Sequence, residues 1–170
     1  MLFTVFPQIH RMGEEVMVLA MRQPYQIPFR GAPSACVAGR PRYPGIHGDV
    51  CFYQADPGVL VVASIVGLPQ GGGPCASDIF GFHIHEGAPC AGTADDPFAD
   101  VGSHYNPRGC PHPAHAGDLP PLFGNGGTAF MSVLTSRFTI REILGRSVII
   151  HAAPDDFTTQ PSGNSGEMIA

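Results

Sequence analysis

Short apolar runs, rich in Val, Ile and Phe, recur at close spacing along the chain from about residue 50 onwards. Residues of these types favour strands, because their branched or flat side chains pack well on a pleated surface. The pattern predicts five strands, at residues 50–54, 59–68, 80–85, 127–134 and 147–151. The many turn formers, 22 Gly and 18 Pro in 170 residues, break the chain too often for long helices. The sequence therefore predicts an all-β domain.

One short helical turn is expected between the last two predicted strands. Thr139 is followed three residues later by Glu142, the spacing of a capping box, in which each side chain binds the backbone N–H of the other residue. Gly145 is expected to end the turn, since glycine is common just past the last helical residue.

The chain is expected to hold one domain behind an N-terminal extension. Residues 35–170 are enough to bury an adequate core. Residues 1–34 show neither strand alternation nor a helical stripe, so we expect this stretch to be disordered or to precede the true start. Met12, Met17 and Met21 are alternative start sites. The other interpretation of this stretch is a segment whose Met and His residues gather copper.

Seven potential metal ligands occupy three clusters in the last half of the chain: His83 and His85, then His104, His112, His115 and Asp118, and finally His151. In a strand, alternate side chains share a face, so both histidines of the first cluster can reach one ion. Imidazole suits both copper and zinc, and three imidazoles with one carboxylate complete a closed zinc site. A single histidine would more often be an ordinary core or surface residue. Seven donors in this pattern predict a metal centre.

The sequences around these ligands resemble the copper–zinc superoxide dismutase family. They are GFHIHEGAPC, GSHYNPRGCPHPAHAGD and GRSVIIHAAPDDFTTQPSGNSG, in that order, and the resemblance runs from about residue 38 to the end. It implies a Greek-key β-sandwich, or flattened barrel, with long metal-binding loops. It also implies an oxidoreductase that converts superoxide to oxygen and hydrogen peroxide at copper, next to a structural zinc.

The resemblance assigns a role to each ligand. It implies four copper ligands, which are His83, His85, His104 and His151. It implies a zinc set made of His104, His112, His115 and Asp118. His104 would bridge the two metals, and His104 and His151 are the expected catalytic residues. Asp155 is expected to tie a copper histidine to a zinc histidine, whereas its local sequence alone, APDD, would make it a turn residue.

Two departures from the family pattern bear on function. Only two residues separate His112 from His115, so the zinc loop is shorter than in the family and its geometry is less determined. Met168 stands where the family carries an arginine beside copper, and residues 152–170 contain no basic residue. Since the chain also has a net charge of −5, we expect no electrostatic funnel for an anionic substrate.

These departures keep three functions open. The first is superoxide dismutation, at full or reduced activity. The second is a copper- and zinc-binding relative with weak or no catalysis that buffers copper. The third is a zinc-stabilised β-sandwich that acts only through its surface, against which His83, His85 and His151 argue.

The chain has five cysteines, an odd number that leaves the redox compartment open. The resemblance implies a disulfide between the loop after HIHE and the last strand, with Cys90 in the loop position. Its partner would follow Ala170, so we expect the domain to be truncated in its last strand. Cys110 could replace that partner, compete for metal as a thiolate, or fill space.

The sequence also restricts partners and location. An acidic chain with no basic patch argues against nucleic acid, and no apolar stretch is long enough for a membrane span. Superoxide is the expected small-molecule substrate, and a homodimer stays open. Pro7 and Arg11 interrupt the apolar start, which makes it a poor signal peptide. The default expectation is the cytoplasm, while the resemblance leaves an extracytoplasmic location open.

Overall fold

The computed structural model describes residues 32–73, 75–88, 90–93 and 96–170. The predicted N-terminal extension lies outside these described residues except for its last three positions. The strands are β1 Ser34–Ala38, β2 His47–Ala55, β3 Gly58–Val66, β4 Ile79–Phe80, β5 Phe82–His85, β6 Leu122–Phe123, β7 Thr128–Thr135 and β8 Ser147–Ile150. A 3₁₀ turn, Ala99–Val101, and one helical turn, α1 Ile140–Ile143, complete the regular structure.

Four antiparallel strands form the larger sheet, in the spatial order β1-β2-β3-β7. Every second residue of β3 is fully buried, namely Val59, Val61, Ala63 and Ile65. This alternation is what one covered sheet face requires, and burying each Val or Ile contributes roughly 1.5–3 kcal/mol. The outer face of β7, in contrast, exposes Phe130 and Leu134.

A second layer packs over this face and makes the fold a Greek-key β-sandwich. Strands β5 and β8 pair antiparallel, as do β4 and β6. Phe82 and Ile84 of β5 and Ile150 of β8 join the same hydrophobic core as the larger sheet. The chain leaves that sheet after β3, builds β4 to β6, and returns as β7, the kind of long connection found in Greek-key folds.

The structure contains a strand at each of the five predicted places, with two differences. The predicted strand 80–85 is divided at Gly81, whose backbone N–H donates to Ala153 O at 2.8 Å instead of continuing a ladder. A Cβ at Gly81 would lie 2.7 Å from Ser165 Cβ. The strand is therefore divided where the distant loop that carries Ser165 comes close to the Gly81 backbone. Strands β1 and β6 were not predicted, because the β1 residues SACVA are mostly small and β6 has only two residues.

The helical turn was predicted correctly. Thr139 caps it, and Glu142 accepts hydrogen bonds from the Thr139 backbone N–H at 2.6 Å and hydroxyl at 2.8 Å. Among the residues that the structure describes, no helix has the length and apolarity to cross a membrane.

Candidate metal centre

Strand β5 carries two histidines on the face that points away from the hydrophobic core. Phe82 and Ile84 belong to the core, so alternation places His83 and His85 on the opposite face. Both histidines are buried, because distant loop residues cover that face too. Phe82 pairs with Ile150 in β8, which brings the next residue, His151, alongside the β5 histidines.

The first donor group consists of four buried histidines whose donor nitrogens all lie within 4.8 Å of one another: His83, His85, His104 and His151. His85 Nδ1 donates to the Gly102 carbonyl at 2.8 Å, and His151 Nδ1 donates to the Gly166 carbonyl at 3.3 Å. Each Nε2 therefore carries a lone pair. These two Nε2 atoms lie 3.4 Å apart, an arrangement that a cation between them would satisfy.

The second donor group also has four buried members whose donor atoms lie within 4.8 Å of one another: His104, His112, His115 and Asp118. Asp118 lies among the imidazoles. Its Oδ1 accepts a hydrogen bond from His104 Nδ1 at 2.8 Å, and its Oδ2 accepts one from the His115 backbone N–H at 3.0 Å. His112 Nδ1 lies 3.1 Å from Asp118 Oδ2, and His115 Nδ1 lies 3.3 Å from Asp118 Oδ1.

His104 belongs to both groups. Its Nδ1 faces Asp118 in the second group, while its ring stacks on that of His83 in the first, with 3.8 Å between centroids. Isolated β-bridges join His85 to His104 and His83 to Asp118, so the irregular segment that carries the second group lies directly against β5. One imidazole thus belongs to two different donor sets.

The hydrogen bonding shows that these residues fit metal ions. Four buried ring nitrogens of the two groups have no hydrogen-bond partner: His83 Nδ1, His104 Nε2, His112 Nδ1 and His115 Nδ1. A buried polar atom left without a partner costs free energy, so four in one place need an explanation. Coordination supplies one, because four imidazoles suit copper and three imidazoles with a carboxylate suit zinc.

Asp155 links the two groups from behind. Its Oδ2 accepts a hydrogen bond from His83 Nε2 at 2.8 Å, and its Oδ1 accepts one from His112 Nε2 at 2.9 Å. Each ring consequently turns its free Nδ1 towards the neighbouring donors. The Phe157 backbone N–H also donates to Oδ1, at 2.7 Å, which holds the carboxylate in place.

Gly163 allows this bridge to form, and the sequence analysis missed it. Its φ is 71°, a left-handed conformation that favours glycine. A Cβ at this position would overlap Asp155 Oδ1 and would lie 2.7 Å from His112 Nε2. The SG pair in PSGNSG indicates a turn, but nothing in the sequence indicates which carboxylate the turn approaches.

Burial keeps three histidines of the first group neutral, namely His83, His85 and His151. Burial and the neighbouring histidines lower the pKa of His83 to about 2. Burial lowers the pKa of His85 to about 3 and that of His151 to about 4. For Asp118, burial acts to raise the pKa, but the His104 hydrogen bond and the nearby histidines outweigh it, so the pKa is lowered. At neutral pH these three imidazoles have free lone pairs and the Asp118 carboxylate is charged, as metal binding requires.

A cavity of about 550 Å³ opens onto the first group, and His85, His104, His151 and Met168 contribute to its lining. Met168 also packs against a small apolar cluster made by Phe98, Val101 and Ile149. Met168, which stands where an arginine was expected, therefore lines this cavity with a neutral side chain.

The charge of Glu167, beside Met168, is compensated from a distant part of the chain. Arg40 donates to Glu167 at 3.1 Å, the Arg42 guanidinium lies 3.6 Å away, and the Tyr43 hydroxyl donates at 2.5 Å. Although residues 152–170 contain no basic residue, Glu167 thus has cationic partners among residues 40–43.

All five cysteines lie among the described residues, and none is in a disulfide. Cys90 and Cys110 are in neither donor group. Asn106 instead holds the Cys110 backbone in a tight turn, accepting from its N–H at 3.0 Å and donating to its carbonyl at 2.8 Å.

Comparison with known families decides what kind of protein this centre belongs to. A family model described as copper/zinc superoxide dismutase (SODC) matches residues 46–170, which include both donor groups. The chain belongs to the copper/zinc superoxide dismutase family. Membership implies copper and zinc as metals, and the two histidine groups could hold them.

Curated relatives agree with this family. Superoxide dismutase (Cu-Zn) of Deinococcus radiodurans is 32% identical over 139 residues, covering 71% of this chain and 72% of the relative. Superoxide dismutase (Cu-Zn) 2 of Aquifex aeolicus is 31% identical over 140 residues, covering 74% and 77%. Extracellular superoxide dismutase (Cu-Zn) of Rattus norvegicus is 33% identical over 152 residues, and the match spans 83% of this chain but only 59% of that relative.

A solved structure of the superoxide dismutase type shares the fold. The crystal structure of a SOD-like protein from Bacillus subtilis superposes with a TM-score of 0.63 at 30% identity, covering 80% of this chain and 93% of that one. A double mutant of that protein superposes with a TM-score of 0.57 at 34% identity, covering 72% and 84%. The predicted Greek-key superoxide dismutase fold is thereby confirmed.

Proposed function

We propose that the chain dismutates superoxide to oxygen and hydrogen peroxide. In this proposal the first donor group binds copper, the second binds zinc, and His104 bridges them. The observation that carries the proposal is the sharing of His104 by two buried four-donor groups, one with four imidazoles and one with three imidazoles and a carboxylate. A bound copper would supply one-electron redox chemistry, which the protein's own side chains lack.

The chain's residues have three roles in the reaction. The cavity beside His85 and His151 admits a small anion to the first group. Asp155 orients His83 and His112 and so fixes both donor groups with a single carboxylate. His104 Nε2 is buried without a hydrogen-bond partner and faces the first group, so it can hold a proton there and release it to a reduced oxygen species. His151, on the cavity wall, is the other proposed catalytic residue.

A second function is favoured by one observation, the position of Met168. An arginine there would attract superoxide, whereas a methionine offers neither a charge nor a hydrogen-bond donor. With Met168 on the cavity wall, the chain could bind copper through its four histidines yet turn over slowly, which suits a copper-buffering role.

Stopped-flow measurement of superoxide decay separates the two functions. The purified full chain is loaded with copper and zinc, and the control is the same protein after copper removal. Dismutation predicts catalysed decay that disappears with copper. Buffering predicts tight copper binding with decay at the uncatalysed rate. A chain that binds neither metal would refute both functions.

A further inference from the structure

Arg137 gathers three backbone carbonyl groups of the segment that carries the second donor group. Its Nη1 donates to Pro113 O at 3.0 Å, to Asp118 O at 3.1 Å and to His115 O at 3.2 Å. Two of these carbonyls belong to proposed zinc ligands, and the third belongs to the residue directly after the ligand His112. One cation therefore contacts the backbone at, or directly after, three of the four members of the second group: His112, His115 and Asp118.

The arginine approaches from a rigid part of the molecule. It lies two residues past β7, which pairs with β3 along its whole length. The Arg137 backbone N–H donates to Thr135 Oγ1 at 3.2 Å, which fixes the start of the side chain. The segment 112–118, in contrast, contains no helix or strand. A side chain anchored at the end of β7 thus holds the irregular segment 112–118.

Both charge and geometry favour this arrangement. Hydrogen bonds to a guanidinium are shorter and stronger than neutral ones. Three carbonyl dipoles that converge on one point repel one another unless a cation lies there. Without Arg137 the carbonyls would turn towards water, and the side chains of His115 and Asp118 would turn with their own peptide groups.

We propose that Arg137 is a positioning residue for zinc. It fixes the backbone of residues 113–118 so that the imidazoles of His112 and His115 and the Asp118 carboxylate already converge before the metal arrives. Only two residues separate His112 from His115, so the segment has little freedom to adjust once this contact is lost. This inference rests on the proposed zinc site.

The test measures zinc affinity of the copper-loaded full chain by competition with a chelator. Arg137→Met removes the cation while keeping a long side chain, and Arg137→Lys restores a cation. Arg141→Met, at an exposed position on α1, is the matched control. We expect Arg137→Met to raise the zinc dissociation constant roughly 10- to 100-fold, the usual effect of losing a group that orients metal ligands. Arg137→Lys should recover most of the affinity, and Arg141→Met should not change it.

Three further readouts distinguish positioning from general stabilisation. Copper affinity should stay unchanged in Arg137→Met, and cobalt bound in place of zinc should show a shifted visible absorption spectrum, because its ligands are less ordered. Arg137 adjoins a cavity of about 380 Å³, so millimolar guanidinium should partly restore the zinc affinity of Arg137→Ala.

The outcomes separate this inference from the function it rests on. A wild-type chain that takes up no zinc would overturn both. A wild-type chain that binds zinc, with Arg137→Met binding it equally well, would overturn the role of Arg137 alone. Parallel loss of zinc, copper and thermal stability, without rescue by lysine, would show that Arg137 merely holds the fold together.

Discussion

The two halves of the candidate centre reach similar order by different means. His83, His85 and His151, which we call the strand-held group, lie on β5 and directly after β8. His112, His115 and Asp118, the loop-held group, lie on one irregular segment. The two-residue period of a strand fixes the direction of the strand-held side chains. Contacts with distant residues fix the direction of the loop-held side chains. The positions of donors on strands therefore follow from the local sequence pattern, whereas the positions of donors on loops depend on the distant residues that hold the loop.

The largest difference is expected in acid, for the metal-free chain. The pKa values of His83, His85 and His151 are about 2, 3 and 4 when folded, below the ordinary value of about 6.5. Because the unfolded chain binds more protons between these folded values and about pH 6.5, stability is fully present above about pH 6.5 and is lost as the pH falls from there towards the folded pKa values. Each histidine contributes a slope of about 1.4 kcal/mol per pH unit in that window.

Asp118, the carboxylate of the loop-held group, affects the unfolding free energy only at lower pH. The lowered pKa of Asp118 means that its contribution is present above the unfolded value of about 3.9 and is lost only below it. Denaturant titrations of the metal-free chain from pH 7 to pH 3 should show the main loss of unfolding free energy between about pH 6.5 and pH 4. An unfolding free energy that stays constant from pH 7 to pH 4 would contradict the burial of the strand-held histidines.

The substitution Gly163→Ala should damage both groups, because Asp155 serves one histidine of each. The new Cβ would overlap Asp155 Oδ1, and the left-handed φ of 71° adds strain. We expect a loss of about 2–4 kcal/mol in unfolding free energy, with weaker binding of both metals. Gly145→Ala is the control, since its φ is 77° but no atom lies near its Cβ. Equal losses in the two variants would remove the special role of Gly163.

Asp118→Ala should separate the two groups most cleanly. It removes the only carboxylate among the four proposed zinc ligands and leaves the copper histidines in place. We expect zinc affinity to fall by about 100-fold and copper affinity to change little, as measured by chelator competition for each metal. If both metals were lost together, the substitution would have damaged folding, and full retention of zinc would exclude Asp118 as a ligand.

The smallest effect is expected for Met168→Arg, at the cavity of the strand-held group. A positive channel can speed capture of an anion by roughly 10- to 1,000-fold, and one cation should supply only a small part of this. The wild-type rate should be nearly flat, or rise slightly, with added salt. The variant should be several-fold faster and should slow as salt screens the new charge over about 10 Å at 0.1 M. Met168→Gln is the neutral control.

A wild-type rate near the diffusion limit that falls steeply with salt would change this interpretation. The field would then come from another arginine. Arg40 and Arg42 are candidates, because they contact Glu167, the neighbour of Met168. Arg146 is another, because it donates to the carbonyl of Glu86 on the cavity wall at 2.9 Å.

The sequence predicted the strands because their Val and Ile runs carry the burial pattern themselves. It could not predict the break at Gly81, since the close approach of Ser165 is a contact between residues far apart in the chain. It also missed β1, whose small side chains show little strand preference, and β6, which has only two residues.

The ligand positions were predicted from resemblance to a family, and two supports were not predicted at all. Asp155 could be named, because its motif carries it. Gly163 and Arg137 could not, because their roles lie in contacts with Asp155 and with the carbonyls of residues 113–118. No spacing pattern records a backbone contact across such distances.

The sharing of His104 is the central claim, and magnetic coupling tests it most directly. The zinc position is filled with a second copper ion, and electron paramagnetic resonance is recorded on wild type and on His104→Ala. A bridging imidazole predicts coupled copper ions in the wild type and loss of that coupling in the variant, with copper still bound. Two uncoupled copper spectra in the doubly loaded wild type would contradict the bridge and, with it, the account of a single centre built from two donor groups.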